Sequence, residues 1–378
     1  MASADSDPLI PRRSSFSRAV RAIASPYYRY RHARLLHSVR VGLAMIVSII
    51  ATNGINIPHS IWSSVTLLVV IGGLQHQGNI RKKAAERAAG TLLGASIGLL
   101  LILQQNLFGS LWVTYVLMSI VAAICAWYAI GTAGYIGLLT AITMCIVAGH
   151  GDNLIDTGLW RTLNVLIGIV IALAFSFALP LHATYSWRYL LADNLRGIAR
   201  IYARIVGGSP FDPDEQVKLF LELNKRLVQL RALMPSVAKE IELPQAKLET
   251  IQRIHRSMLS ALEIMATGTL VHADAASRAA FAQQCGVEAR AVRAMLLATA
   301  RGLRFGGAKR FLNPQPLPVR ASPGVLAPHL APELQGPYWL GERVIEQVDQ
   351  LRALLLETEP NWNIERHGTH AHAAPKPQ

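Results

Sequence analysis

The sequence predicts an all-α chain: six transmembrane helices arranged as an inverted 3+3 repeat, followed by a helical cytoplasmic domain. Three observations predict it. Hydrophobic residues make up 52% of the chain and charged ones 16%, and the two are segregated. From Leu35 to His182 there are six basic residues (Arg40, Arg81, Lys82, Lys83, Arg87, Arg161) and three acidic ones (Glu86, Asp152, Asp156). A soluble domain carries charge at about 25% of its positions. The basic residues gather on alternate connections, and one arginine-plus-small-residue pattern occurs twice.

Residues 1–34 are basic and contain Pro8, Pro11 and Pro26, so a mostly disordered cytoplasmic segment is expected there. No apolar run precedes residue 39, and no cleaved signal peptide is expected. Apolar runs then predict membrane helices at 36–55, 59–75, 88–104, 111–130, 134–149 and 159–180, within a domain at 35–182. Several runs fall short of the ~20 residues that span hydrocarbon, so flanking turns such as 80–87 are expected to complete them. The 76–87 loop is rich in Arg and Lys, whereas the 55–58, 105–110 and 150–158 loops contain neither. Basic residues remain on the cytoplasmic side, which places both termini there. Trp62, Trp112 and Trp160 then fall at the outer interface, and Trp127, Tyr128, Tyr135, Tyr185 and Trp187 at the inner one.

The second half predicts a helical bundle over 183–308. Its apolar stripes are Leu191, Leu195, Ile198, Tyr202 and Ile205, then Phe220, Leu223, Leu227, Leu230 and Met234 (ending at Pro235), then Leu248, Ile251, Met258, Leu262 and Met265. A fourth helix is expected at 274–301. A proline-rich, extended connector at 309–336 leads to a last helix at 337–360, carried by Val344, Val348, Leu351 and Leu355. The tail, 361–378, reads as disordered.

The stretch from Gly78 to Leu100 organises the first half. It begins with Arg81, Lys82, Lys83 and Arg87 and becomes apolar without a break, carrying Gly90, Gly94 and Gly98. Residues four apart share a helix face, so the glycines form a flat stripe where another backbone approaches closely. Arg87 and Thr91 lie at its cytoplasmic end. One reading is a cytoplasmic flank and a packing groove, and the other is an entrance that attracts anions. From Arg87 the offsets +3, +7 and +11 give Gly90, Gly94 and Gly98. From Arg161 they give Asn164, Gly168 and Ala172. The two arginines lie 74 residues apart, three helices on, so the copies enter the membrane from opposite sides.

The net charge of +14 is explained by basic flanks meeting anionic headgroups. No zinc finger, phosphate loop or aromatic-plus-basic RNA motif accompanies it, so no nucleic-acid partner is expected. Cys125, Cys145 and Cys285 have no paired spacing, and no metal site or cofactor is predicted.

The order of a Trp-containing second helix, then Gly78 and Lys83, then Arg87-x-x-Gly90-Thr91-x-x-Gly94-x-x-x-Gly98, resembles the fusaric acid resistance-like membrane proteins. These include bacterial aromatic acid exporters and are similar to plant aluminium-activated malate channels. The likeness covers 35–182 well and the second half loosely. His76 stands near where relatives carry proline, and this chain has one membrane unit where several exporters have two. The resemblance implies a bacterial inner-membrane exporter of organic, chiefly aromatic carboxylic, anions. It also implies a homodimer and, in some members, a periplasmic adaptor.

The residues point to the same cargo class. Anion pathways place Arg and Lys at their constrictions. Arg87 and Lys83 are candidates for the inner mouth, Arg161 for the outer one, and Arg40 for a further inner position. Gly90, Thr91, Gly94, Gly98 and Gly168 are candidates for helix packing. The alternatives are a salt bridge of Arg161 with Asp156 or Asp152, and snorkelling of Arg40 to headgroups. No ionisable acid or histidine falls near the midplane, so the membrane potential is the expected driving force. A channel-like anion pore and a membrane-anchored interaction module are the alternative functions. An enzyme is not expected, because 35–182 lacks both a cluster of metal ligands and a nucleophile motif.

Overall fold

Helix after helix in the first half turns a small or polar face inward and an aliphatic face outward. The computed structural model describes residues 26–71, 77–131, 133–149, 154–178, 182–207, 212–268, 272–306, 327 and 329–364, the side chains of 26, 77–84, 213 and 287 excepted. Among these residues there is no strand. The chain divides into two compact units, 1–75 with 80–181 and 76–79 with 182–378.

The first unit holds α1 (Pro26–Arg31), α2 (Ala33–Asn53), α3 (Ile61–Ile71), α4 (Gln77–Phe108) from Ile80 on, α5 (Leu111–Ala129), α6 (Gly134–Ala148) and α7 (Ile155–Ala178). α2 shows the pattern. Its buried residues are Arg40, Ala44, Ser48 and Thr52, each four apart and so on one face. The Ser48 hydroxyl meets those of Ser63 and Ser64 on α3 at 3.0 and 3.3 Å. The opposite faces expose aliphatic side chains, among them Ile50, Leu100, Val116 and Val170. Such a surface is stable against lipid tails, where close packing and hydrogen bonds join helices.

Four of these helices are long and apolar enough to cross a membrane: Ala33–Asn53, Ala85–Phe108, Leu111–Ala129 and Ile155–Ala178. α3 and α6 are apolar but shorter, so six full spans do not follow from length alone. The turns preceding residue 88 do belong to α4, as the short third run required.

The second unit holds α8 (Ala183–Val206), α9 (Pro213–Glu240), α10 (Gln245–Thr267), α11 (Ala275–Phe305), α12 (Gln335–Glu357) and α13 (Glu359–Trp362). α8 is its centre and packs on α9, α10 and α11. The Glu240 carboxylate caps it, accepting from the backbone N–H of Ala183 and Thr184 at 2.9 Å each. A carboxylate at a helix N-terminus meets both free N–H groups and the positive end of the dipole. Arg188 is fully buried on α8. Its Nε donates to the Leu303 carbonyl at 2.9 Å, and its guanidinium lies over the Trp362 ring at 5.2 Å.

Several boundaries differ from expectation. Residues 26–31 are helical, and α2 begins at Ala33 within the segment expected to be disordered. α9 runs through Pro235 to Glu240. The carbonyl that the proline leaves without a donor belongs to Arg231, on the exposed face. Pro332–Leu334 form a 3-10 turn that leads into α12 at Gln335, inside the expected connector, because proline suits the first turn of a helix. Residues 361–364 are placed, with Trp362 and Asn363 buried. Trp187 lies in the core of the second unit and not at a membrane interface.

A histidine is among the polar groups of that core. His255 is fully buried, and its Nε2 lies 3.2 Å from the Asn194 side-chain nitrogen. Burial pushes its pKa down to about 4. The unfolded chain therefore binds an extra proton between about pH 6.5 and 4, and stability falls as pH drops through that window. The full loss is about 3 kcal/mol at 1.36 kcal/mol per unit. Between pH 7 and pH 5 about 2 kcal/mol of that is lost, and thermal melts at the two values should show it in wild type and a reduced loss in His255→Gln.

Candidate functional site: two arginines held by aromatic side chains

The glycine stripe of α4 packs directly on α6. A Cβ on Gly90 would lie 2.9 Å from the Ile136 carbonyl oxygen. One on Gly94 would lie 2.5 Å from the Thr140 carbonyl oxygen, and one on Gly98 would lie 2.9 Å from Val147 Cβ. Only residues without a side chain permit this spacing. The Thr140 hydroxyl adds a hydrogen bond across the contact to the Gly90 carbonyl at 3.3 Å.

α7 meets α3 in the same way. A Cβ on Gly168 would lie 2.4 Å from the Ser63 carbonyl oxygen and 3.0 Å from Thr66 Cβ. Asn164, fully buried, donates to the Pro58 carbonyl at 2.8 Å and so ties α7 to the turn that precedes α3. That turn places Asn56 and His59 at positive φ, 51° and 58°, where side chains other than glycine are strained.

The arginines stand one turn before each stripe. Arg87 is 4% exposed, and its Nη1 donates to the Tyr135 hydroxyl at 3.3 Å, at the start of α6. Its Nε and the Thr91 hydroxyl one turn on are both buried and have no hydrogen-bond partner among the described residues. Arg161 is half-buried. Its Nη1 donates to the Ile146 carbonyl at 2.9 Å, and its guanidinium lies over the Trp62 ring at 5.9 Å, at the start of α3. Asp156 is exposed and makes no ion pair with Arg161, while Asp152 lies outside the described residues. A cation that takes a carbonyl and a ring face in place of a carboxylate keeps its net charge.

Arg40 is buried too, on the inner face of α2, with Nη2 at 2.8 Å from His37 Nδ1. Its guanidinium is buried among the helices and not exposed at their surface. The side chain of Lys83 lies outside the described residues. Sequence spacing brought out the arginines and glycines but not Tyr135, Trp62, Thr66 or Thr140. For the two threonines the same 74-residue offset, which carries Gly94 to Gly168 and Thr66 to Thr140, was a usable signal; Tyr135 and Trp62 are not related by it.

The chain is 36% identical over 240 residues to the inner membrane protein YeeA of Escherichia coli (strain K12). That stretch is 62% of this chain and 66% of the relative, so the chain spans just under two thirds of its length. The fusaric acid resistance protein family matches residues 34–361, covering both units. With lipid-facing helices in the first unit and that match over most of its length, the chain belongs to the fusaric acid resistance protein family and is a membrane protein.

Proposed function

We propose that the chain exports organic anions, aromatic carboxylates among them, across the bacterial inner membrane along a path past Arg87 and Arg161. The observation that carries this is a pair of arginines at equivalent positions, one bonded to a tyrosine hydroxyl and one lying over a tryptophan ring, and neither neutralised by a carboxylate among the described residues. A buried or half-buried charge without a counterion is costly unless an anion visits it.

A matched pair of helix contacts supports an inverted repeat, and with it the path. Gly94 touches Thr140, and Gly168 touches Thr66. Adding 74 to one partner and subtracting it from the other turns the first contact into the second. An internal two-fold axis in the membrane plane, exchanging residues 36–108 with 111–178, accounts for that. In this arrangement the shorter helices α3 and α6 occupy corresponding positions, which marks the usual binding region of such transporters. Each begins beside one of the arginines, so its positive N-terminal end adds to the attraction for an anion.

The basic flanks place both termini in the cytoplasm and 150–158 outside. In a chain otherwise free of cysteine, one introduced at Asn153 should react with a membrane-impermeant thiol reagent in intact cells. One at Asn79 should not. The opposite pattern overturns the inner and outer roles of the arginines.

An anion leaving an inside-negative cell gains ~2.3 kcal/mol per charge per 100 mV, so export needs no coupling ion. The test is flux of radiolabelled benzoate into proteoliposomes under an imposed potassium diffusion potential. Potential-dependent benzoate flux above protein-free vesicles is expected. Its absence favours a membrane-anchored interaction module, with the helical second unit as the active part.

A further inference from the structure

We propose that Tyr135 is a positioning residue for Arg87, aiming the guanidinium so that its Nε edge and the Thr91 hydroxyl form a seat for the cargo's carboxylate. This rests on the transport reading above and deepens it at the inner arginine.

A guanidinium offers five N–H donors in a rigid plane. Arg87 is 4% exposed, so these donors depend on protein or ligand for acceptors. The Tyr135 hydroxyl accepts from Nη1, while Nε remains unpartnered among the described residues. Thr91 follows four residues later on the same face, 1% exposed, its hydroxyl also unpartnered. Unsatisfied buried donors cost roughly 1–3 kcal/mol each, and two of them one turn apart are retained most readily where a ligand satisfies both. A carboxylate does so, accepting from a guanidinium edge with one oxygen or both and from a hydroxyl as well.

Tyr135 sets which edge is offered. Its ring belongs to the first turn of α6, and Gly90 and Gly94 fix α6 against α4 by backbone contact. The hydroxyl therefore has a defined place relative to Arg87. Tying Nη1 leaves the Nε side of the plane to the ligand. A mobile arginine side chain without that tie would lose rotamer freedom each time an anion bound. The outer arginine shows the same device in other chemistry, since the Ile146 carbonyl and the Trp62 ring restrain Arg161.

Tyr135→Phe keeps the ring and removes the acceptor. In the benzoate assay, normalised to folded protein, it should raise the half-saturating concentration about tenfold, the scale of one hydrogen bond to a charged group, and leave maximal flux nearly unchanged. Because Tyr135 acts through Arg87, Tyr135→Phe should add nothing in an Arg87→Gln background. An unchanged half-saturating concentration in Tyr135→Phe, or an equal change with and without Arg87, overturns the positioning role. If Arg87→Gln itself leaves flux and half-saturation unchanged, the transport path past Arg87 falls, and this inference falls with it.

Discussion

Gly94→Leu is expected to remove most of the folded protein from the membrane. A Cβ at this position lies 2.5 Å from the Thr140 carbonyl oxygen and 2.7 Å from Thr143 Cβ, so even the first added carbon overlaps α6. The obstacle is helix backbone, which does not swing aside as a side-chain tip does. Leucine adds three further carbons, and α4 must separate from α6 to accept them. Overpacking costs typically ~1–3 kcal/mol where side chains adjust, and a backbone clash belongs at or above the upper end. Gly168→Leu should behave alike, since its Cβ would lie 2.4 Å from the Ser63 carbonyl oxygen. Gly42→Leu is the control, because nothing lies within 4 Å of a Cβ there. The measurement is the monodisperse fraction by size-exclusion chromatography in detergent. Equal fractions for the Gly94 and Gly42 variants would show that α4 and α6 do not pack this closely.

Reversing the outer charge should have the second large effect. Arg161→Lys should keep part of the anion flux, Arg161→Gln less, and Arg161→Glu least, because a negative charge at a constriction repels the cargo. Tenfold or more between Lys and Glu is expected, on the order of 1.4 kcal/mol or above. Lysine retains the charge but not the planar group that lies over Trp62 while donating to Ile146, so recovery should be incomplete. Since Arg161 makes no ion pair with Asp156, Asp156→Arg should not rescue Arg161→Glu. Rescue by that double swap would make the arginine half of a surface salt bridge and remove it from the path.

The all-helical class and the apolar character of the first half were legible because charge is nearly absent there and small residues recur at four-residue spacing. The inward face of α4 could be read from Gly90, Gly94 and Gly98, since glycine at that spacing has few other uses in a lipid-facing helix. What those glycines touch could not be read. Thr140 and Thr66 look like any threonine in an apolar run, and only the packed helices bring them to Gly94 and Gly168. Tyr135 and Trp62 read as interfacial aromatics because they fall at helix ends, where such residues are common. Their contact with arginines 48 and 99 residues away is set by packing between helices and leaves no local trace. Pro235 misled for the opposite reason. A proline usually ends a helix, but one whose missing hydrogen bond faces the exposed side is tolerated. Trp187, read as a membrane-interface residue from its place just after the sixth run, serves instead as core for α8.

The central claim is that anions cross the membrane past two arginines related by an internal repeat. The most direct measurement is the reversal potential of purified protein in planar bilayers under a benzoate gradient, comparing wild type with Arg87→Gln/Arg161→Gln at equal amounts of folded protein. Wild type should reverse toward the anion equilibrium potential. The double variant should carry a small fraction of the current and lose anion-over-cation preference. Undiminished current with unchanged anion preference in the double variant would place the pathway elsewhere in the protein and contradict the transport mechanism.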